Sequence, residues 1–521
     1  MIEALLYFPI SILIFFIYFL PGFLITRFLK QFGKLERFVL GFVFSTLIFL
    51  IIGLVIHILG FDWNLFTLLI PVVALILILL VIKKEVKISK EVGFLLTIFF
   101  IQYVIKLLIL INVEMFPLGG DWISHYNIAE TFLEKEWSLP TNRTFLYNFI
   151  LGFFISIFQG EYWCAQITNV LISSLILLPT YLIGLRFFNK KIAILSFVLL
   201  SISPYVHWIL YTWPKCFAGF LILVVFYFVM KRRLNVFVGI SAGLAFLIHQ
   251  MSLLYLIPIG LFILHKRKEF NLNRQILFLV LIPFIVAFVS WYGYNFFVRG
   301  VMVPTVFKYY PIAVGGYETL HEKTSEQIWK EFLETPLHKI FLIRAVNAMT
   351  TITPLICIII KTVSLFYPIT LQLYKSVNFT QMPWSYHHIQ TIPGQVSLLL
   401  YIFVIIGFLK LLKDRSKKKD IPYLTIGVFL LTLFIYSWIV MITADVILPL
   451  IPLLVLIGFW GVEKSKNKNK WILLIFLLAI MESLIFLYWF GFNIEFTKRI
   501  AIQTGDIEYN KLMSVYKIFR K

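Results

Sequence analysis

The segment richest in chemistry reads Glu114-Met-Phe-Pro-Leu-Gly-Gly-Asp121-Trp-Ile-Ser-His125-Tyr126. Asp121 and His125 stand four residues apart and share one face of a helix. A carboxylate placed this way can take a proton from an attacking hydroxyl. An imidazole one turn further can hydrogen-bond that carboxylate and orient it. Gly119-Gly120 lets the backbone bring Asp121 close to a substrate. Asp121 also stands where a helix N-cap would, and aspartate caps well; on spacing alone, cap and base are both open. Two side chains are too few for a metal site, and Glu114 adds no ligand signature. No metal ligands and no cofactor are assigned, and participation of a divalent ion is left open.

Cationic groups form a second set: Arg143, Lys215, Arg299, Lys308 and Arg344. They could stabilise charge developing on a phosphate leaving group in a poorly solvated site. Each has a plainer reading. Asn142-Arg143-Thr144 is a glycosylation sequon. Lys215, in Trp213-Pro214-Lys215-Cys216, can snorkel to lipid phosphates. Arg299 and Arg344 can anchor span ends, and Lys308-Tyr309-Tyr310 can belong to an aromatic belt. His249 ends an apolar run, and an ionisable group in a span is a functional candidate; a structural hydrogen bond is the alternative. Pro383-Trp384-Ser385-Tyr386-His387-His388 reads as a gating or acceptor-contact loop, because adjacent histidines do not share a helix face. Lys106 and Glu482 lie within spans and are unassigned.

The elements that position these groups must be membrane helices. Of 521 residues, 61% are hydrophobic and 14% charged. This excludes a soluble enzyme, a disordered chain and a secreted disulfide scaffold. Long continuous apolar runs, rather than short alternating ones, exclude a barrel, and lipid then requires helices. Net charge is +21. The basic residues lie in short loops with no stripe interleaved with aromatics, so no nucleic-acid partner follows. Cys164, Cys216 and Cys357 show no CxxC spacing, which argues against zinc or a redox pair; a disulfide between two of them is not excluded.

About fourteen spans follow, at 5–26, 38–59, 64–82, 93–112, 163–186, 191–208, 214–230, 234–249, 252–265, 275–298, 395–412, 423–440, 445–462 and 471–489. The stretches 144–159 and 345–370 break the alternation and read as re-entrant or interfacial helices. The first apolar run lacks a basic flank and reads as a span rather than a cleaved signal. One set of loops holds 28 basic residues against 7 acidic ones, while the opposite set is nearly balanced. The basic side is therefore expected in the cytoplasm. The N-terminus, 113–162, 299–394 and the tail after 490 are expected outside. The inner loops hold no Gly-rich phosphate loop and leave no room for a nucleotide-binding domain, so chemistry is expected on the outer face.

The order of motifs resembles the GT-C superfamily of membrane glycosyltransferases, which includes protein mannosyltransferases and aminoarabinose transferases. A span is followed by Gly-Gly-Asp121-x-x-x-His125-Tyr126, then a cation and a short apolar helix (Phe145–Phe158). Next come a span ending Gly184-Leu185-Arg186-Phe187-Phe188 and one ending Ser203-Pro204. Gly243-Leu-Ala-Phe-Leu-Ile-His249 and Leu448-Pro449-Leu-Ile-Pro452 complete the series. The resemblance covers about 93–489. It departs from the family where Asp445-Val446 replaces Arg-Tyr and His249-Gln250 replaces a lysine; a Trp-Trp-Asp motif is absent.

The resemblance implies an all-α, GT-C-like bundle. It also implies transfer of a sugar from a polyprenyl-phosphate-linked donor at the extracytoplasmic face of the plasma membrane. Asp121 would be the general base with His125 beside it. Arg143, Lys215, His249, Arg299, Lys308 and Arg344 would be the substrate contacts. The partners would be the lipid-linked donor, membrane lipid, and a glycan, lipid or protein acceptor. The chain divides into a three-span module (1–92), a catalytic core (93–489) and a short outer tail (490–521). Two other readings are a transporter or flippase of lipid-linked glycans and a scaffold of an envelope complex. A transporter would carry paired broken helices or coupled mid-membrane acids, and Glu482 has no evident twin.

Overall fold

The computed structural model describes residues 2–82, 88–113, 120–132, 144–158, 162–210, 213–299, 312, 324–352, 393–414, 418, 420–436 and 447–504. Among these there are helices and no strand. Six helices are long and apolar enough to cross a membrane, and shorter apolar helices of 10–17 residues fill the bundle between them. The protein is an all-α, multi-pass membrane protein.

The first helices are α1 (Ile2–Thr26), α2 (Lys34–Ile58), α3 (Leu65–Ile82) and α4 (Lys90–Val113). Without a hydrophobic force between helices in lipid, packing and polar contacts must hold them together. On α1 and α2, Tyr18 Oη and Thr46 Oγ1 lie 2.6 Å apart, and the Gly22 N–H donates to Ser45 Oγ at 3.1 Å. Aromatic contacts continue into the rest of the chain: Phe49 meets Phe153 and Phe154, and Trp63 meets Phe132 and Phe149. Buried residues of α1, α2 and α3 thus belong to the same core cluster as residues of the helices that follow.

Next come α5 (Gly120–Thr131), α6 (Leu146–Ile157), α7 (Tyr162–Ser174), α8 (Leu177–Ile183), α9 (Lys190–Ile202) and α10 (Val206–Leu210). Helix α6 is buried on nearly every side, so it sits inside the bundle rather than along a membrane surface. The span expected at 163–186 is interrupted between α7 and α8. Pro179 cannot donate to the Leu175 carbonyl, and Leu178 N takes that carbonyl at 3.0 Å instead. A π-turn over Gly184–Phe188 ends this span. Asn189 then caps α9 by accepting from Ile192 N at 2.8 Å. Such a cap contributes about 1 kcal/mol.

The remaining helices are α11 (Pro214–Met230), α12 (Val236–Ile248), α13 (Ser252–His265), α14 (Arg274–Arg299), α15 (Ser325–Glu334), α16 (Leu337–Ile352), α17 (Leu398–Leu412), α18 (Asp420–Tyr436), α19 (Ile451–Glu463) and α20 (Lys468–Thr504). Of the window Trp163–Phe188, 89% is buried, against 11% of Arg274–Phe297. The first is therefore central and the second faces lipid. Two expectations shift. The apolar stretch read at 345–370 falls on α16, which begins at Leu337, and 353–370 lie outside the described residues. The tail expected from 490 is, as far as Thr504, a continuation of α20. No proline interrupts α20, and Gly491 alone costs only about 1 kcal/mol of helix propensity.

The Lys/Arg-rich loops meet at one end of the bundle. Glu36 accepts from Tyr227 Oη at 2.7 Å and from Gly33 N at 2.8 Å, and it pairs with Lys231. Arg232 donates through Nε to Glu269 at 2.9 Å and pairs with Asp420 through Nη2. Lys191 and Lys468 both pair with Glu463, at 2.9 and 3.1 Å. Hydrogen bonds from Lys266 and Arg232 hold the Glu269 carboxyl below the usual carboxylate range.

Candidate functional site

At the opposite end of α11 and α12 lies a recess. Helix α11 starts at Pro214, which has no N–H to leave unsatisfied, while Trp213 stays extended. Lys215 follows, its Nζ over the Trp213 ring at 4.7 Å. Trp213 packs edge-on against Trp208, whose Nε1 donates to Gln395 Oε1 at 2.6 Å. Helix α12 ends where His249 turns extended, at φ −156°. The His249 Nδ1 accepts from the Met251 N–H at 3.3 Å, so a neutral ring carries its proton on Nε2. Ser252 Oγ donates to the Ala245 carbonyl at 2.8 Å and closes the turn into α13.

The third wall is the segment before α19. Tyr205, just after Ser203-Pro204, donates through its hydroxyl to the Leu448 carbonyl at 3.2 Å. Pro449 comes so close to α11 that a Cβ on Gly219 would stand 3.3 Å from its Cα. The recess is lined by Lys215, Ala218, Ile222, His249, Met251, Ser252, Tyr255 and Pro449. The motifs around Ser203-Pro204, Lys215, His249 and Leu448-Pro449 are far apart in sequence and meet here. Two of the eight lining residues can carry positive charge and most of the others are apolar. The arrangement suits an anionic head on an apolar chain.

A second polar cluster stands on α5 and α6. The helix begins at Gly120, so Asp121 lies inside the first turn rather than at the N-cap, where the helix dipole still favours a carboxylate. His125 is buried, and its Nδ1 lies 2.7 Å from Asn148 Oδ1. The hydrogen bond described for the ring thus runs to Asn148 on α6. Its ring meets Tyr147 edge-to-face at 5.2 Å. Tyr147 Oη donates to Asn169 Oδ1 at 2.8 Å, and Asn169 Nδ2 donates to the Ile209 carbonyl at 2.9 Å. His125 is not among the residues that line the recess.

Of the residues named from sequence, the structure brings Lys215 and His249 together. Arg344 lies half-buried on α16, away from the recess lining. Partial burial pulls its guanidinium down to about 10, which leaves it charged at neutral pH. Arg143 and Lys308 lie outside the described residues, as do the side chains of Asp121 and Arg299. Among the described residues no three His, Cys, Asp or Glu side chains converge as a metal set. Cys164 and Cys216 are buried; Cys357 lies outside the described residues. Lys106 is fully buried and donates to Gln102 Oε1 and, at 3.4 Å, to Ser174 Oγ.

Sequence reasoning missed Asn148, Asn169, Tyr205, Ser252 and Tyr255. A polar pair inside an otherwise apolar helix, Tyr147-Asn148, was the available signal. The others carry no spacing signature.

A family model described as dolichyl-phosphate-mannose-protein mannosyltransferase matches residues 142–293. No curated protein and no solved structure matches the chain. The matched segment includes Asn148 and every lining residue of the recess except Pro449. The match over residues 142–293 supports a membrane glycosyltransferase of the GT-C type.

Proposed function

We propose that the protein transfers a sugar from a polyprenyl-phosphate-linked donor to an acceptor hydroxyl at the extracytoplasmic face of the plasma membrane. The recess is the observation that carries this reading. Lys215 offers a cationic hydrogen-bond donor to a phosphate, and His249 a neutral Nε2–H donor. Ala218, Ile222, Met251 and Pro449 offer an apolar wall to the first isoprene units. Depth agrees: helices α11 and α12 rise about 1.5 Å per residue from the end with basic loops. Lys215 and His249 then stand ~20–25 Å up a hydrocarbon core of about 30 Å.

In the reaction, the bond from the anomeric carbon to the phosphate oxygen breaks and its electron pair stays on the phosphate. The acceptor oxygen bonds the anomeric carbon, and its proton passes to Asp121. A phosphate is stable as an anion, so the acid partner a glycosidase needs is not required. Arg143, Arg299, Lys308 and Arg344 are the other cations proposed for the phosphate. The acceptor is a glycan, a lipid or a protein.

Transfer assays in donor-loaded liposomes test the reading. Lys215→Gln and His249→Gln are each expected to raise KM for the donor about tenfold, with Lys215→Arg close to wild type. Unchanged donor kinetics in both Gln variants would remove the recess from the donor site.

A further inference from the structure

The contact between His125 and Asn148 decides more than the place of the ring. Asn148 is fully buried, and the atom it presents to His125 Nδ1, at 2.7 Å, is the amide oxygen. An amide oxygen has no proton to give. With the amide oxygen on this side the ring donates, so Nδ1 carries hydrogen and the neutral ring keeps its lone pair on Nε2. The Asn148 Nδ2 is buried with no hydrogen-bond partner among the described residues. Leaving a buried amide unsatisfied costs about 1–3 kcal/mol, a burden that an ordinary packing residue would not carry. Leucine would fill the same apolar helix without it. Tyr147, next to Asn148, packs against the ring at 5.2 Å and fixes its plane.

We propose that Asn148 is a positioning residue: it holds His125 as the Nδ1–H tautomer, so that Nε2 accepts a proton one helical turn from Asp121. This rests on the reading of Asp121 and His125 as the acid–base pair of the transfer reaction. The acceptor proton passes to the Asp121 carboxylate and from there to His125 Nε2. The ring becomes imidazolium and returns the proton to water before the next turnover. The charge on that imidazolium is stabilised by the Asn148 oxygen, to which Nδ1–H already points.

The other titratable residues of these two helices are Tyr147 on α6, and Asp121, Tyr126 and Glu130 on α5 itself. The Tyr147 hydroxyl is committed as a donor to Asn169. Of these groups His125 is the one whose ordinary titration range lies near neutrality, so it should set the acid limb of the pH–rate profile.

Two measurements test the inference. The chain has nine histidines, and nitrogen NMR of ¹⁵N-histidine-labelled protein, wild type minus His125→Gln, isolates the signals of this one. Nδ1–H with unprotonated Nε2 is expected above the titration; Nε2–H with unprotonated Nδ1 would overturn the proposal. The second measurement is the pH–rate profile. Asn148→Asp places a carboxylate on Nδ1–H, favours the charged ring and should move the acid limb up by about one pH unit. Asn148→Leu removes the acceptor and should move it down. Reduced rates with the acid limb unmoved in both variants would show Asn148 to be merely structural and overturn the proposal. Wild-type transfer by both Asp121→Asn and His125→Gln would instead defeat the catalytic reading beneath it, while the NMR result judges Asn148 by itself.

Discussion

At the residue scale the account turns on what a carboxylate in the first turn of α5 does. A dipole-stabilising aspartate and a catalytic one respond differently to substitution. Asp121→Asn keeps shape and polarity but loses basicity, whereas Asp121→Ala loses both. The base reading predicts that both variants lose roughly 10²–10⁴-fold in transfer rate, with the Asn variant expressed as wild type. A merely structural role predicts near-normal transfer by the Asn variant, measured on purified protein in liposomes. Sequence singles out Asp121 and His125 by their spacing after Gly119-Gly120, and Lys215 and His249 by their places at the ends of apolar runs. The partner of His125 was not. Spacing on α5 pointed to Asp121, but the described bond crosses to Asn148 on α6, and the pairing of residues 23 apart depends on how two helices cross.

At the element scale, the ends of the short helices place the recess, and polar ties and close crossings hold those helices. Arg232 joins the turn between α11 and α12 to the turn after α13 and to the start of α18. Its side chain is 6% exposed and that of Asp420 is 5% exposed. Removing one partner of a buried pair leaves the other charge stranded at a cost of about 3–5 kcal/mol. Arg232→Ala should therefore lower the unfolding midpoint in detergent sharply, and adding Asp420→Asn should recover part of the loss. Additive losses would show that the pair is not coupled. The crossing of α17 and α19 depends on Gly407, where a Cβ would come 2.1 Å from the Ile457 carbonyl. Gly407→Val should cost ~1–3 kcal/mol or more by overpacking, read as a lower midpoint or yield. Apolar runs made most helices legible, since lipid forces each run to satisfy its own backbone. Interruptions were harder to read: the break at Pro179 keeps its hydrophobicity and changes only its hydrogen bonding.

At the scale of the whole molecule, charge sorts the loops, and the ion pairs of Glu36, Arg232 and Glu463 gather at the basic end. With Cys357 replaced by serine, Glu136→Cys should label in intact cells and Lys418→Cys should not. The reverse pattern would invert the proposed topology. All-α architecture and a GT-C resemblance could both be read from composition and motif order. The meeting of Lys215, His249 and Pro449 could not, because Pro449 is distant in sequence from the other two and no spacing rule joins them. The most direct test of sugar transfer is to reconstitute the purified protein with polyprenyl-phosphate-linked sugars and acceptor glycans, lipids and peptides, and to follow all products by mass spectrometry. The account predicts free polyprenyl phosphate and glycosylated acceptor in equal amounts from wild type, formed roughly 10²–10⁴-fold more slowly by Asp121→Asn. Intact donor crossing the bilayer, with no polyprenyl phosphate released, would contradict it and identify a flippase.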